Sequence, residues 1–119
     1  MRLRDLDACF VGGFTAPHSY RRLDSMEGAQ GLLFQCPQCA QGKERAEDGG
    51  FVGAHYVLIW FRSPRGSVEV PESAQPAPAR WTVSGDSLDN LTLDPSVNLV
   101  KKDPSECGWH GWVKKGEAA

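Results

Sequence analysis

The pattern of apolar and polar positions along the chain predicts short β-strands separated by turns and loops. Residues 55–61 give the clearest strand, because they are β-branched or aromatic and apolar at nearly every position. Such a strand is expected to be covered on both faces. Residues 31–36 predict a second strand, which runs into a turn at Pro37. Shorter strand patterns follow at residues 81–83, 91–93 and 96–100.

The other segments predict turns and loops, with little helix. No segment has the 3.6-residue apolar period of a long amphipathic helix. Residues 63–80 are rich in proline and predict a long surface loop, and residues 84–91 predict a turn with at most one helical turn. We therefore predict a single, mainly β domain over residues 1–119, with the Pro-rich loop 63–80 inside it.

Composition narrows the classes of protein to consider. An apolar fraction of 40% and a charged fraction of 24% are those of a globular chain and argue against disorder. The formal charge of −2 argues against a nucleic-acid binder, which normally presents a basic face. The one basic cluster near an end of the chain consists of Lys101, Lys102, Lys114 and Lys115.

The apolar runs are too short for a signal peptide or a membrane span. The first residues lack the apolar core that a secretory signal needs, and residues 56–61 fall far short of the ~20 residues that cross a bilayer. We therefore expect a soluble, cytoplasmic protein. Thiols stay reduced in that compartment, so closely spaced cysteines are expected to bind a metal rather than form disulfides.

Two cysteine-containing clips give the strongest chemical signal. Cys36-Pro-Gln-Cys39 and Cys107-Gly-Trp-His110 each place two ligands three positions apart, so that one tight turn can present both to a single ion. Together they predict a closed Cys₃His site for a structural zinc ion. The expected architecture is a pair of zinc-ribbon or rubredoxin-like (Rieske-like) knuckles that closes a β-sheet.

A Rieske iron–sulfur cluster is the competing interpretation of the second clip. Such a cluster needs a Cys-x-His half as well, and the position two residues after Cys36 is Gln38. The two-histidine iron therefore cannot form, and an iron–sulfur cluster is not expected. The fourth cysteine, Cys9, lies in an apolar neighbourhood and is expected in the core.

The remaining histidines and acids do not compose a catalytic set. His55, at the start of the best strand, could reach the metal, support a ligand or cap the sheet, whereas His18 is expected on the surface. No phosphate loop, G-x-S-x-G or H-E-x-x-H motif occurs. The aspartates of the 84–94 region are first of all turn residues, namely Asp86, Asp89 and Asp94.

Four blocks follow one another in a recognisable order, at residues 34–39, 53–61, 80–97 and 107–113. They resemble a family of small uncharacterised phage and prophage proteins that are often labelled "ammonia monooxygenase". The resemblance implies a phage origin, a location in the bacterial host and the same four ligands. It also marks His55 and the 81–97 block as recurring features. It implies no activity, and no copper or di-iron ligand set is visible to support the label.

Three functions remain open from the sequence. The favoured one is a phage-type zinc-binding accessory protein that is not an enzyme and binds a host or phage protein, with Trp109 and Trp112 as contact residues. The second is a small hydrolytic enzyme that uses His55 and a nearby aspartate. The third is a zinc-ribbon nucleic-acid module, which would need Arg62 together with the four lysines as a basic patch.

Overall fold

A four-stranded antiparallel sheet forms the body of the protein. The computed structural model describes residues 1–13, 19–62, 69–99 and 107–119. The sheet has the strand order β2-β1-β3-β4, so that β2 and β4 are its edges. Its strands are β1 (Cys9–Gly12), β2 (Arg21–Leu23), β3 (Gly31–Gln35) and β4 (Tyr56–Trp60).

Six shorter strands form three antiparallel pairs beside the sheet. Strand β5 pairs with β6, β7 with β8, and β9 with β10. Their bounds are β5 (Thr82–Ser84), β6 (Thr92–Asp94), β7 (Val97–Asn98), β8 (His110–Gly111), β9 (Val113–Lys114) and β10 (Glu117–Ala118). The described residues contain one α-helix, α1 (Pro37–Ala40), and a 3₁₀ turn at Leu3–Asp5. The predicted mainly β fold with little helix is confirmed.

The two most apolar segments of the sequence form the centre of the sheet. Strands β3 and β4 pair along five positions, with Leu32 opposite Ile59. Because side chains alternate across a strand, β4 contributes to two apolar clusters, one on each face of the sheet. Val57 and Ile59 join the larger cluster, whereas Leu58 and Trp60 join the smaller one. The expectation that both faces of this strand are covered is confirmed.

The close pairing of β3 and β4 depends on a glycine. A Cβ atom at position 31 would lie 2.3 Å from the carbonyl oxygen of Ile59, so any larger residue would push β4 away. Strand β1 packs on the other side of β3, with Phe10 opposite Leu32. The sequence pattern did not predict β1 and β2. These strands are short, and their hydrogen bonds come from sheet pairing, of β1 with β3 and of β2 with β1.

The described part of the Pro-rich loop, residues 69–80, has no helix or strand but is held by side-chain hydrogen bonds, most of them from Arg80. The guanidinium group of Arg80 donates hydrogen bonds to four carbonyl oxygens of this loop, at 2.8 to 3.2 Å. The indole N–H of Trp60 donates another, to the carbonyl of Gln75 at 2.8 Å. The loop is thereby fixed against the end of β4. Residues 63–68 lie outside the described ranges.

Within the described residues, no helix has the length and apolar character needed to cross a bilayer.

We predict that Leu32→Ala lowers the free energy of unfolding by about 2–5 kcal/mol, because it opens a cavity in the larger cluster. Leu32 is fully buried. The matched control is Val52→Ala, since Val52 is 55% exposed and its truncation should change stability by less than about 0.5 kcal/mol. Urea unfolding followed by tryptophan fluorescence measures both values. Equal effects of the two substitutions would contradict the assignment of the core.

A candidate metal centre and a neighbouring Ser-His pair

Three thiols and one imidazole converge at one end of β3 and β4. Their potential ligand atoms all lie within 4.8 Å of one another. The Sγ atoms of Cys36 and Cys107 are 3.6 Å apart, and Nε2 of His55 lies 3.2 Å from Sγ of Cys107. The four residues are Cys36, Cys39, His55 and Cys107.

Strand pairing and one helical turn place the first three ligands. Cys36 follows β3 and His55 precedes β4, and the amide of Cys36 donates a hydrogen bond to the carbonyl of His55 at 2.8 Å. Helix α1 begins at Pro37, and its single turn brings Cys39 back towards Cys36. The last ligand, Cys107, comes from the segment before β8. Its carbonyl accepts a hydrogen bond from the side chain of Gln38 at 3.1 Å, which links the two halves of the site.

The sulfur atoms accept hydrogen bonds from the backbone, as expected for metal-binding turns. Burial raises the pKa of Cys36 to about 12, although the backbone N–H groups of Cys39 and Gln38 donate to its sulfur and oppose the shift. Burial also raises the pKa of Cys107, but hydrogen bonds from His55, from the backbone of Trp109 and from the other thiols outweigh it. The pKa of Cys107 is thereby lowered to about 7.

The spacing of these atoms fits one tetrahedral ion. Zn–S bonds of about 2.3 Å and Zn–N bonds of about 2.0 Å imply tetrahedral edges of roughly 3.8 Å between sulfurs and roughly 3.5 Å between sulfur and nitrogen. The observed separations of 3.6 Å and 3.2 Å are close to those edges. A bound cation would also favour the thiolate forms, including that of the buried Cys36. The cluster therefore has the composition and the size of a metal site.

His110, the fourth ligand predicted from the sequence, is not part of this cluster. The structure brings Cys36, Cys39 and Cys107 together, as the two clips predict, but the imidazole among them belongs to His55. Strand β8 begins at His110, and the imidazole of this residue is outside the group of converging ligand atoms. The spacing within the second clip permitted ligation by His110 but did not require it.

Instead, His110 contacts a serine. Its Nε2 atom lies 3.1 Å from Oγ of Ser96, within hydrogen-bond distance. Ser96 immediately precedes β7, and the indole N–H of Trp81 donates to its carbonyl at 3.3 Å. Strands β7 and β8 pair so that Asn98 is opposite His110. Two strands and a buried indole therefore hold the serine and the histidine together, and the His110 side chain is exposed.

The predicted aspartates take part in local structure. Asp86 accepts a hydrogen bond from the side chain of Asn90 at 2.7 Å, which organises the 85–90 turn. Asp89 forms ion pairs with two arginines of the N-terminal segment, Arg2 and Arg4. Asp94 ends β6 and is exposed. None of the three lies in the metal cluster, and the described contacts of His55 involve Cys107 and Cys36 rather than an acid.

The remaining candidate residues are distributed between core and surface. Trp109 is buried and packs edge-on against Phe34, with ring centres 6.0 Å apart. Trp112 is 43% exposed, and the ammonium group of Lys114 lies 4.6 Å from its ring centre. Cys9 is half-buried in β1, outside the cluster. His18, Lys101 and Lys102 lie outside the described residues.

The sequence contained a signal for His55 but none for Ser96. Residues 31–36 and 55–61 are the two most apolar runs, and pairing them antiparallel places Cys36 beside His55. The expectation that His55 could reach the metal agrees with that register and with its place in the cluster. Ser96 has no diagnostic motif around it. Only the pairing of β7 with β8 brings it to a histidine 14 positions away.

The fold and the site define a small, mainly β protein with a Cys₃His cluster and a surface Ser-His pair. Residues 43–119 match the model of a family described as "Bacterial ubiquitination-like system serine protease (BubE)", and the chain belongs to this family. The matched region includes His55, Ser96, Cys107 and His110. No curated protein and no solved structure matches the chain. The resemblance to phage proteins stays a prediction.

We predict that the two histidines respond oppositely to substitution. His55→Ala should reduce the bound metal well below one ion per chain and largely unfold the domain, as should Cys36→Ser. His110→Ala should retain both metal and fold. The reason is that structural metal binding contributes about as much free energy as a whole domain's stability. Elemental analysis and circular dichroism, with and without a strong chelator, measure these effects. Metal loss in His110→Ala with retention in His55→Ala would refute the assignment.

Proposed function

We propose that this chain is a serine peptidase of a bacterial ubiquitination-like system, with Ser96 as nucleophile and His110 as general base. The observation that carries the proposal is the 3.1 Å contact between Ser96 Oγ and His110 Nε2 on an accessible surface. The description of the family, a serine protease, supports the same chemistry. A hydrogen-bonded serine and histidine are the minimum that this chemistry needs.

The pair can carry out acyl transfer in two steps. Nε2 of His110 accepts the proton of the Ser96 hydroxyl as Oγ attacks the carbonyl carbon of the substrate. The same proton then passes to the leaving group, and the acyl chain stays on Oγ as an ester. In the second step His110 accepts a proton from water, whose oxygen attacks the ester carbonyl, and Ser96 recovers its proton as the acid product leaves.

Among the described residues, the pairing of β7 with β8, and no acid, holds the histidine in place. Within the described residues, the side chain of His110 makes one hydrogen bond, to Ser96. Its backbone lies in a strand, opposite Asn98. The arrangement is therefore a dyad in the described part of the chain. Its geometry depends on how firmly β8 is attached to the rest of the protein.

We propose that the metal is zinc and that its role is structural. Three thiolates and an imidazole complete a tetrahedral zinc shell, which leaves no ligand position for a substrate. Cys107 lies three residues before His110, so the site attaches the start of β8 to the ends of β3 and β4. Zinc would in this way keep the dyad assembled. The protein partner expected from the sequence is then a protein substrate, encountered in the bacterial cytoplasm.

The decisive experiment is covalent labelling with a fluorophosphonate probe. We expect the wild-type protein to be labelled at Ser96, identified by mass spectrometry, and to hydrolyse p-nitrophenyl acetate. Ser96→Ala should abolish labelling, and His110→Ala should lower both rates by at least about 100-fold, the contribution of a general base. Ser84→Ala is the matched control, because Ser84 is an exposed strand serine whose loss should change neither rate.

Labelling at a serine other than Ser96, or equal hydrolysis by the wild type and Ser96→Ala, would overturn the proposal. A folded, metal-containing wild-type protein with neither labelling nor hydrolysis would also overturn it. That result would favour a binding protein without catalytic activity, the function that the sequence favours. Circular dichroism of each variant separates loss of the reaction from loss of the fold.

A further inference from the structure

Within the described residues, part of the β4 edge has backbone groups without a backbone partner. In an antiparallel ladder alternate residues direct their N–H and C=O groups to the same neighbour. The hydrogen bonds from Cys36 N to His55 O and from Phe61 N to Gln30 O show that the odd-numbered residues of β4 face β3. The backbone groups of Tyr56 and Leu58 therefore face away from the sheet. They have no backbone partner in the described parts of the chain.

The other end of this edge is covered, which limits the open part to the first residues of β4. The amide of Trp81 donates to the carbonyl of Trp60 at 3.0 Å, and the amide of Arg62 donates to the carbonyl of Trp81 at 2.8 Å. An isolated parallel bridge thus joins Phe61, which follows β4, to Trp81. No backbone hydrogen bond among the described residues competes for the outward groups of Tyr56 and Leu58.

A groove of about 520 Å³ lies along this open edge. One wall is β4 and the other is formed by β7 and Leu99, with Trp81 between them. The lining is mostly apolar, and Asn98 is the polar side chain on the β7 wall. Leu99 N donates to the carbonyl of Trp109, so the backbone of Asn98 also faces away from β8. The groove therefore has an apolar interior between two backbone edges.

Neither Ser96 nor His110 lines the groove, but both are neighbours of Asn98 on its β7 wall. Asn98, on the β7 wall, is opposite His110 at a position where the strands exchange no hydrogen bonds. Side chains at such positions lie on the same face, with Cβ atoms about 4.5–5.5 Å apart. Ser96 lies two residues before Asn98 and contacts the same His110 ring. A chain lying in the groove would therefore run beside the atoms that attack.

We propose that this groove binds an extended, unfolded segment of a polypeptide substrate as an added strand on β4, and presents its scissile bond to Ser96. This inference rests on the proposed peptidase function and names the form of its substrate. Free strand edges give affinity through backbone hydrogen bonds, and an apolar groove gives specificity through alternate side chains. The site accordingly selects flexible tails with an apolar residue near the cleaved bond, rather than folded loops.

An extended peptide satisfies both features of the groove at once. Its backbone can pair with the outward groups of Tyr56 and Leu58, which a small apolar ligand would leave unpaired. Its apolar side chains can fill the space beside Trp81, which a polar ligand would not. Successive side chains of a strand point to opposite sides, so the groove should contact every second side chain of the peptide.

The first test is a backbone-methylation scan. Random octapeptides are selected for binding to the Ser96→Ala protein, and the best one is resynthesised with a single N-methyl group at each position. We expect methylation at alternate amides to weaken binding at least tenfold by fluorescence anisotropy, and methylation between them to have little effect. A scan without this alternation, or a selection that yields no peptide, would overturn the proposal.

The second test blocks the groove from the protein side. Ala79 is exposed and lines the groove, so Ala79→Trp should weaken binding of the selected peptide and lower its kcat/KM at least tenfold. Fluorophosphonate labelling of Ser96 should be unchanged, because the probe needs only the dyad. Ala77→Trp is the control, since Ala77 is exposed in the same loop and does not line the groove. Equal peptide binding by both tryptophan variants would refute the groove.

The two proposals fail in different ways. Absence of labelling at Ser96 refutes the peptidase, whereas the anisotropy measurements on the Ser96→Ala protein do not depend on catalysis. Labelling at Ser96 combined with a flat methylation scan refutes the added strand and leaves the dyad intact. Alternation in the scan and loss of binding in Ala79→Trp, with retention in Ala77→Trp, together support the proposed substrate class.

Discussion

Convergence of three thiols and an imidazole on one point is the constraint on which the rest of this structure depends. The four ligand atoms lie within 4.8 Å of one another, yet Cys36 and Cys107 are 71 positions apart along the chain. They join the ends of β3 and β4 to the segment that begins β8. The strand pairs that follow the sheet are only two or three residues long, so their own hydrogen bonds hold them weakly. A metal ion bound at this point would replace the extended packing that such short strands cannot provide.

The different positions of the two histidines follow from this constraint. His55 immediately precedes β4, beside the thiols, where its Nε2 atom lies 3.2 Å from Sγ of Cys107. His110 lies three residues after the last cysteine, in an exposed strand, where its ring contacts Ser96. A closed metal shell contributes stability but offers no open position for chemistry. In our proposal the chemistry therefore takes place at the serine, and the metal keeps the histidine at the correct distance.

The same attachment sets the geometry of the groove. Strand β4 forms one wall and continues from His55, whereas β7 forms the other and pairs with β8, which follows Cys107. The two walls of the groove are therefore connected at one end through the Cys₃His cluster. Between the walls, Trp81 lines the groove. Edge strands with unpaired backbone groups are usually protected in proteins, because they recruit other chains. In our proposal the open part, which is short, lies beside the nucleophile Ser96, a position suited to controlled recruitment of one extended segment.

Local information in the chain was sufficient for the fold class, the two central strands and the cysteine half of the metal site. Strand patterns at residues 31–36 and 55–61 depend on apolar residues that are adjacent in sequence, and the Cys-x-x-Cys turn depends on a single tight bend. The fourth ligand and the Ser-His pair could not be obtained in this way. Whether His55 or His110 reaches the thiols depends on the register of β3 against β4, and whether Ser96 meets a histidine depends on the pairing of β7 with β8. Both are contacts between distant segments, whose geometry is set by packing and hydrogen bonding across the whole domain rather than by neighbouring residues.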